Sequence, residues 1–411
     1  MIKKIPITEL KPGMYVHDAN CSWRVEPLYL FRYKIAADEQ VETIRELGVK
    51  EVYIDTSLGT DLPGAPTEEE VRHGLEEEMV RLASCGEIPM HYRLASRGEM
   101  QEAIKIHHSA STLLRNTMHD VRLGQQLEFE DVAETLQSIS STSLGSFGTL
   151  IQLGQLKNQD DYTFQHSVGV CALLTAFCKV LQLNRQTTFH VGIGALLHDI
   201  GKTRVPLQIL NKPDRLSDME FDEIKQHVNH GMDIVAQAPW VSTTALNVVA
   251  HHHERFDGSG YPGRLKGEDI SHVGQMAAIV DVYDAITADR VYHAAMLPVA
   301  ALRKLQEWSR FHFNDELVAQ FIRSLGIYPL RTVVRLESGK VGIVVEQNPA
   351  DLVRPILLMV YDAGQGRPLP PYRYDLEKSA NDRIVDYEAP EKYRLDVAAC
   401  LNAAQASGWV S

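Results

Sequence analysis

His251-His252-His253-Glu254-Arg255-Phe256-Asp257-Gly258-Ser259-Gly260-Tyr261-Pro262 closes an apolar run, Ala245 to Ala250, and opens into a glycine-rich turn. Earlier in the chain His198-Asp199-Ile200-Gly201-Lys202 closes another run, which holds Val191, Ile193, Ala195, Leu196 and Leu197. Neutral imidazole and carboxylate are the ligands of borderline divalent metals. Glycines beside them let backbone approach a bulky ligand with no Cβ in the way. Ligand-type side chains at the ends of buried helices describe a helical core built around metal, and the expected chemistry is metal-dependent hydrolysis.

Working outward, ligand-type residues recur: His166, His198-Asp199, His227, His252-His253 and Asp281. Each interval fits one helix plus one connection, so successive helices can aim one or two side chains at a common pocket. Adjacent helical residues point about 100° apart, so His198 and Asp199 do not grip one ion in the same way. Two neighbouring ions, with Asp199 shared between them, suit that pair. A charge in so apolar a helix has to be paired or bound to metal. Lys202 lies three residues after Asp199, and Gly201 offers a way out of the helix, which lets the ammonium reach a phosphate oxygen. A buried His-Asp pair with Lys202 capping the helix at the surface fits the same residues. Ser217-Asp218-Met219-Glu220 has capping-box spacing, which places His227 deep within or near the end of the helix that starts there. Asp281 sits in Met276-Ala277-Ala278-Ile279-Val280-Asp281-Val282, again a carboxylate in an apolar helix.

The rest of the composition narrows the class. With 54 acidic against 41 basic residues the net charge is −13, which argues against a polymeric nucleic-acid coat or an anionic membrane surface. No apolar run has the length of about 20 residues that a transmembrane helix needs, and the start lacks a signal-peptide core. Cys21, Cys85, Cys171, Cys178 and Cys400 are scattered with no Cys-x-x-Cys, as suits a reducing compartment. The expected location is the cytoplasm, without membrane insertion.

Four regions are expected. Residues 1–66 form a small α/β domain with its linker: strands near Ile5–Ile7, Met14–Val16 and Val49–Ile54, a helix over Asp38–Leu47, then a turn-rich connector from Leu58 to Thr67. Residues 67–148 are a helical connecting region, with helices near 67–84, 98–123 and 128–146 and a role in connection or homodimerisation. His107, His108 and His119 there read as surface or half-buried helix residues. Residues 149–327 read almost wholly as helix and hold the chemistry. Residues 328–411 are a β-rich extension, with strand-like runs at 333–336, 341–345 and 356–361. The fold class is therefore mainly α.

The quoted residues resemble the HD-GYP subgroup of the HD phosphohydrolase superfamily over about 149–327. The resemblance rests on His198-Asp199-x-Gly201-Lys202, Pro206 with Ile209-Leu210-x-Lys212-Pro213, and His227 with Gly231 four residues on. It continues in His252-His253-Glu254-x-x-Asp257-Gly258-x-Gly260-Tyr261-Pro262, Asp281-Val282-Tyr283-Asp284-Ala285 and Arg290-x-Tyr292. It implies a bacterial phosphodiesterase that hydrolyses cyclic di-GMP to pGpG, GMP or both. Carried onto this chain, the metal ligands are His166, His198, Asp199, His227, His252, His253 and Asp281. Lys202 holds phosphate, Tyr261 and Arg290 contact the dinucleotide, and iron or manganese is the expected metal. His190, His230, His251 and His272 match no ligand of the family.

Two departures from the family are visible. Members with a third metal carry a Glu where this chain has Tyr162, so a binuclear centre is expected. The usual Arg-Pro-Tyr-Arg/Lys run appears as Arg290-Val291-Tyr292-His293, one cation fewer near the substrate. Residues 1–66 resemble a small uncharacterised domain common ahead of this catalytic unit.

The expected mechanism makes Asp199 and Lys202 catalytic: Asp199 joins two metals, a metal-activated hydroxide attacks phosphorus, and Lys202 steadies phosphoryl charge. Protein partners in second-messenger signalling are also expected. Two other readings stay open at this point: a cyclic di-GMP receptor or scaffold of low activity, and an HD hydrolase acting on another nucleotide phosphoester.

Overall fold

The computed structural model describes residues 1–20, 32–46, 48–83, 93–141, 147–154, 162–212, 216–288, 295–379 and 382–407. The N-terminal module is a four-stranded antiparallel sheet of β1 (Ile2–Pro6), β2 (Tyr15–Asp18), β3 (Tyr33–Lys34) and β4 (Glu51–Asp55), in the order β1-β4-β2-β3. α1 (Asp38–Glu46) buries Val41 and Ile44, two positions of its helical spacing. The turn-rich stretch after β4 lies along this sheet. Pro66 accepts from the Lys4 amide at 2.9 Å, the Thr60 amide donates to Gly13 at 2.9 Å, and a Cβ on Gly59 would stand 2.4 Å from the Tyr15 nitrogen.

α2 (Glu68–Ala83), α3 (Arg97–Arg122) and α4 (Phe129–Ser141) follow. α3 opens on a capping box of Ser96 and Glu99 that satisfies two end amides at once. The helical body continues with α5 (Phe147–Gly154), α6 (Tyr162–Val180) and α7 (Arg185–Leu197), then a 3-10 turn over Ile200–Arg204 and the short α8 (Leu207–Leu210). α9 (Asp218–Lys225), α10 (His227–Ala236), α11 (Thr243–His251), α12 (His272–Ile286), α13 (Pro298–Ser309) and α14 (Asp315–Leu325) complete it. α3 packs on α5, α6 and the 3-10 turn, and α4 packs on α6 and α7. Leu136 of α4 fills the space a side chain at Gly192 would need, 2.5 Å from that Cβ position. The middle helices are thus built into the same core as the helices that carry the ligand-type residues.

α12 is buried on every side from Gly274 to Ile286 and runs through the centre of this body. Beyond α14, five antiparallel strands run in the order β8-β7-β6-β5-β9. They are β5 (Val333–Leu336), β6 (Lys340–Glu346), β7 (Ile356–Asp362), β8 (Arg367–Asp375) and β9 (Ile384–Tyr387), and α15 (Val397–Ala406) packs against β8. Among the described residues no helix is long and apolar enough to cross a membrane.

The N-terminal sheet meets the helical body at a buried charge cluster. Glu307 of α13, 2% exposed, accepts from the Tyr53 hydroxyl at 2.8 Å and from Asn20 Nδ2 at 3.0 Å. It also pairs with Lys4 at 2.9 Å and Lys304 at 3.2 Å. Burial alone would raise its pKa, but Lys304 and then Lys4 outweigh that and bring it down to about 2. A carboxyl held below its ordinary value of 4.5 contributes stability that is full above that pH and is lost as pH falls toward 2. Glu307→Gln keeps the shape but removes the buried charge that Lys4 and Lys304 share, leaving them Glu51 and Asp18, and it is expected to cost about 3 kcal/mol near neutral pH. The gap in melting temperature between wild type and variant should narrow as pH falls below 4.5. A gap that is absent at neutral pH would contradict this account of the cluster.

Candidate metal centre

The ligand-type side chains are delivered by five parts of the helical body. His166 projects from α6, His198 and Asp199 stand where α7 gives way to the 3-10 turn, and His252 and His253 follow the last turn of α11. Asp281 projects from the interior of α12. His227 differs from the sequence expectation. The capping box at Ser217 and Glu220 is present, but that helix stops at Lys225, and His227 opens the next one, α10, across Gln226. Gly201 also differs. It makes no left-handed exit from α7; instead its α-carbon lies against α10, where a Cβ would stand 1.9 Å from the His227 carbonyl oxygen and 2.4 Å from the Gly231 nitrogen.

Two groups result. Asp199, His227, His252 and His253 form one, His166, His198 and Asp199 form the other, and within each group one ligand atom per residue lies within 4.8 Å of all the others. Asp199 belongs to both. Its Oδ1 lies 3.5 Å from His227 Nε2, while its Oδ2 lies 3.3 Å from His198 Nε2 and 2.7 Å from Lys202 Nζ. Asp281 joins the second group, 2.9 Å from His166 Nε2 and 3.9 Å from His198 Nε2. Its other oxygen is 3.7 Å from His253 Nδ1. His166, His198, Asp199, His227, His252 and Asp281 are each at most 6% exposed, so none is neutralised by solvent.

Hydrogen bonding fixes which ring nitrogen is free to bind. Nδ1 of His198 faces the Ala195 carbonyl at 2.8 Å, that of His227 the Ile224 carbonyl at 2.6 Å, and that of His252 the Val249 carbonyl at 2.7 Å. A carbonyl only accepts, so each Nδ1 carries the proton and each neutral ring presents a lone pair at Nε2. The Nε2 atoms of His227 and His252 then face one another at 3.4 Å with no proton between them. A cation resolves that contact, and the donor set of imidazole and carboxylate suits a transition metal.

The protonation pattern agrees for His227 and His252 and differs at His198 when no ion is bound. Burial pushes His227 down to about 4 and His252 to about 3, and holds His253 well below the ordinary imidazole range. Burial opposes charge on His198 too, but Asp199 and then Asp281 lift it to about 9, so without an ion a proton supplies the positive charge there. Against their own burial, Asp199 is held well below the ordinary carboxylate range by Lys202 and then His198, and Asp281 by His166.

The surrounding shell contains residues to which the sequence alone assigned no role. Asp284 receives His166 Nδ1 at 2.6 Å, which turns Nε2 of that ring toward Asp281. Its signal was available, a second carboxylate one helical turn after Asp281 in the same apolar helix. Asp284→Asn is expected to weaken metal binding about ten- to a hundredfold. Titration of the metal-free variant with Mn(II) checks it, and wild-type affinity would contradict it. Glu254 accepts from the Gly263 amide at 2.6 Å and the Leu265 amide at 3.1 Å and so pins the turn that carries Tyr261. The Tyr261 ring lies 4.8 Å from that of His253, tilted by 32°.

Lys202 is partly exposed at the rim and rests on Asp199. Arg290 and His293 lie outside the described residues, as does the side chain of Tyr162. His251 turns away from the centre: its Nδ1 pairs with Ser271 at 2.9 Å. His107 is buried and His108 and His119 are exposed, all apart from both groups.

Residues 149–317 match the HD domain family, and residues 2–132 match a domain of unknown function, DUF3391. The chain is 37% identical over 403 residues to the cyclic di-GMP phosphodiesterase PA4108 of Pseudomonas aeruginosa, which covers 96% of this chain and 94% of that one. It is 38% identical over 123 residues to the 3'3'-cGAMP-specific phosphodiesterase 2 of Vibrio cholerae, a match that spans 30% of this chain and 24% of the relative. The solved structure of Bd1817, an HDGYP-type protein of Bdellovibrio bacteriovorus, matches 78% of this chain and 98% of its own at 16% identity. The TM-score is 0.46.

Proposed function

This chain belongs to the family of HD-domain phosphodiesterases that includes PA4108, and from that premise we propose that it hydrolyses cyclic di-GMP at the His and Asp centre. The observation that carries this reading is the pair of buried ligand groups joined through Asp199. His227, His252 and His253 with Asp199 would hold one divalent ion, and His166, His198 and Asp281 with Asp199 a second. Iron or manganese is the expected identity. Bound there, such ions would polarise a phosphoryl oxygen and lower the pKa of water toward neutrality.

The protein's own side chains do the rest. Asp199 offers one oxygen to each group, which fixes the spacing of the two halves of the site. Lys202 supplies an ammonium at the rim, where a phosphodiester enters a chain whose net charge is −13. Its ammonium, already paired with Asp199, meets the phosphoryl oxygens and stabilises charge that builds on them. Tyr261 gives a flat aromatic wall beside His253, suited to stacking on a guanine or packing on ribose. Asp284 and the three backbone carbonyls keep the imidazoles turned, so that no reorganisation is needed when substrate arrives. Arg290 is proposed as a further contact to the dinucleotide.

Chromatographic analysis of products from cyclic di-GMP, with enzyme loaded with Fe(II) or Mn(II), tests the reading. It predicts pGpG or GMP. A second substrate reading, 3'3'-cGAMP, is favoured by the relative of that specificity, and the same assay with that dinucleotide separates the two. Tight binding of cyclic di-GMP that leaves it intact at full metal loading would overturn hydrolysis in favour of a receptor.

A further inference from the structure

We propose that Lys50 of the N-terminal module is a positioning residue for the Tyr261 loop, holding it through an ion pair with Asp257 and so setting substrate affinity from outside the helical body. The pair is direct: Lys50 Nζ lies 3.2 Å from Asp257 Oδ2. Asp257 is also the residue that shapes the loop, because its Oδ1 accepts from the Ser259 amide at 3.0 Å and the Ser259 hydroxyl at 2.6 Å. Its two oxygens thus face different tasks, one making the turn and the other meeting the module.

Asp257 is largely buried, and its second neighbour on that oxygen is His312, 3.6 Å away and 2% exposed. Burial lowers the His312 pKa while its contact with Asp257 raises it, and the same contact helps hold the Asp257 carboxyl below its ordinary range, so Lys50 and His312 face one carboxylate oxygen together.

Both ends of the pair are stiff. The Lys50 carbonyl accepts from the Ile7 amide at 2.8 Å, and three residues on, Tyr53 in β4 is tied to Glu307 in the buried cluster. On the loop side the Phe256 amide donates to His312 at 3.0 Å, the Gly258 amide to Arg255 at 2.8 Å and the Tyr261 amide to His253 at 3.2 Å. A Cβ on Gly260 would stand 2.3 Å from the Arg255 nitrogen, so the turn lies on the Glu254-Arg255 backbone with no slack. A shift at Asp257 therefore reaches the Tyr261 ring and the His253 ring beneath it.

A half-exposed lysine contributes little when merely deleted. Reversing its charge sets two carboxylates against each other at a buried oxygen and is the sharper probe. The kinetic arm rests on the proposed phosphodiesterase activity; hydrogen exchange does not. In Mn(II)-loaded full-length protein, Lys50→Glu should raise KM for cyclic di-GMP about tenfold with kcat changed by less than about twofold. Lys50→Arg should restore wild-type KM. Amide exchange should quicken across residues 256–266 and stay unchanged in α6 and α12. Wild-type KM and wild-type exchange in Lys50→Glu would overturn the proposal, as would exchange that quickens evenly through the helical body. Should wild type open no cyclic di-GMP, the activity reading fails while the exchange measurement still decides whether Lys50 holds the loop.

Discussion

Asp199→Ala is expected to leave cyclic di-GMP intact under conditions in which wild type consumes it, a loss of roughly a thousandfold or more in kcat/KM. The size follows from its position. Among the described residues Asp199 belongs to both ligand groups, so its removal takes a donor from each proposed ion at once. It also strips Lys202 of its partner at 2.7 Å and His198 of the carboxylate that does most to lift its pKa. Asp199→Asn preserves the volume and part of the hydrogen bonding and serves as the folding control. It should melt near wild type, bind less metal and be comparably inactive. Substantial hydrolysis by either variant would remove Asp199 from the chemistry.

Gly201→Ala should also be damaging, although position 201 has no side chain to bind metal or substrate. The added carbon would stand 1.9 Å from the His227 carbonyl oxygen and 2.4 Å from the Gly231 nitrogen, and both obstacles are backbone. No rotamer relieves that contact, so either the 3-10 turn or α10 has to move by about an ångström. Asp199 lies on one side of the contact and His227 on the other, and a displacement of that size costs about a hundredfold in rate. Metal content should fall with it. Gly231→Ala is the internal comparison: its Cβ would meet a Val249 methyl at 3.2 Å, which yields by small rotations, and its activity should stay within a few-fold of wild type. Equal behaviour of the two variants would contradict this packing argument.

The ligand residues were legible because a carboxylate or imidazole in an apolar run has few ways to be satisfied, which made His198-Asp199, His252-His253 and Asp281 conspicuous. Some helix starts were legible for the same kind of local reason, as in the capping box at Ser217 and Glu220. The end of that helix was not. Gln226 keeps a right-handed backbone, and nothing in its chemistry marks the break that places His227 at the start of α10. The role of Gly201 was hidden because a close approach between backbones depends on the packing partner, not on the glycine. Asp257 reads from the sequence as part of a turn, while its ion pair with Lys50 joins residues that only the docking of the N-terminal sheet brings together. The carbonyls that fix the imidazole tautomers belong to residues three positions earlier in the chain, a relation that appears only once the rings are placed.

The most direct test of the shared-aspartate centre is the initial rate of cyclic di-GMP opening by metal-free protein titrated with Mn(II) or Fe(II), with bound metal counted in the same samples. The account predicts a rate that is negligible without metal, climbs as two ions fill each chain and disappears on chelation. Intact cyclic di-GMP at full loading, or an undiminished rate after complete metal removal, would contradict it.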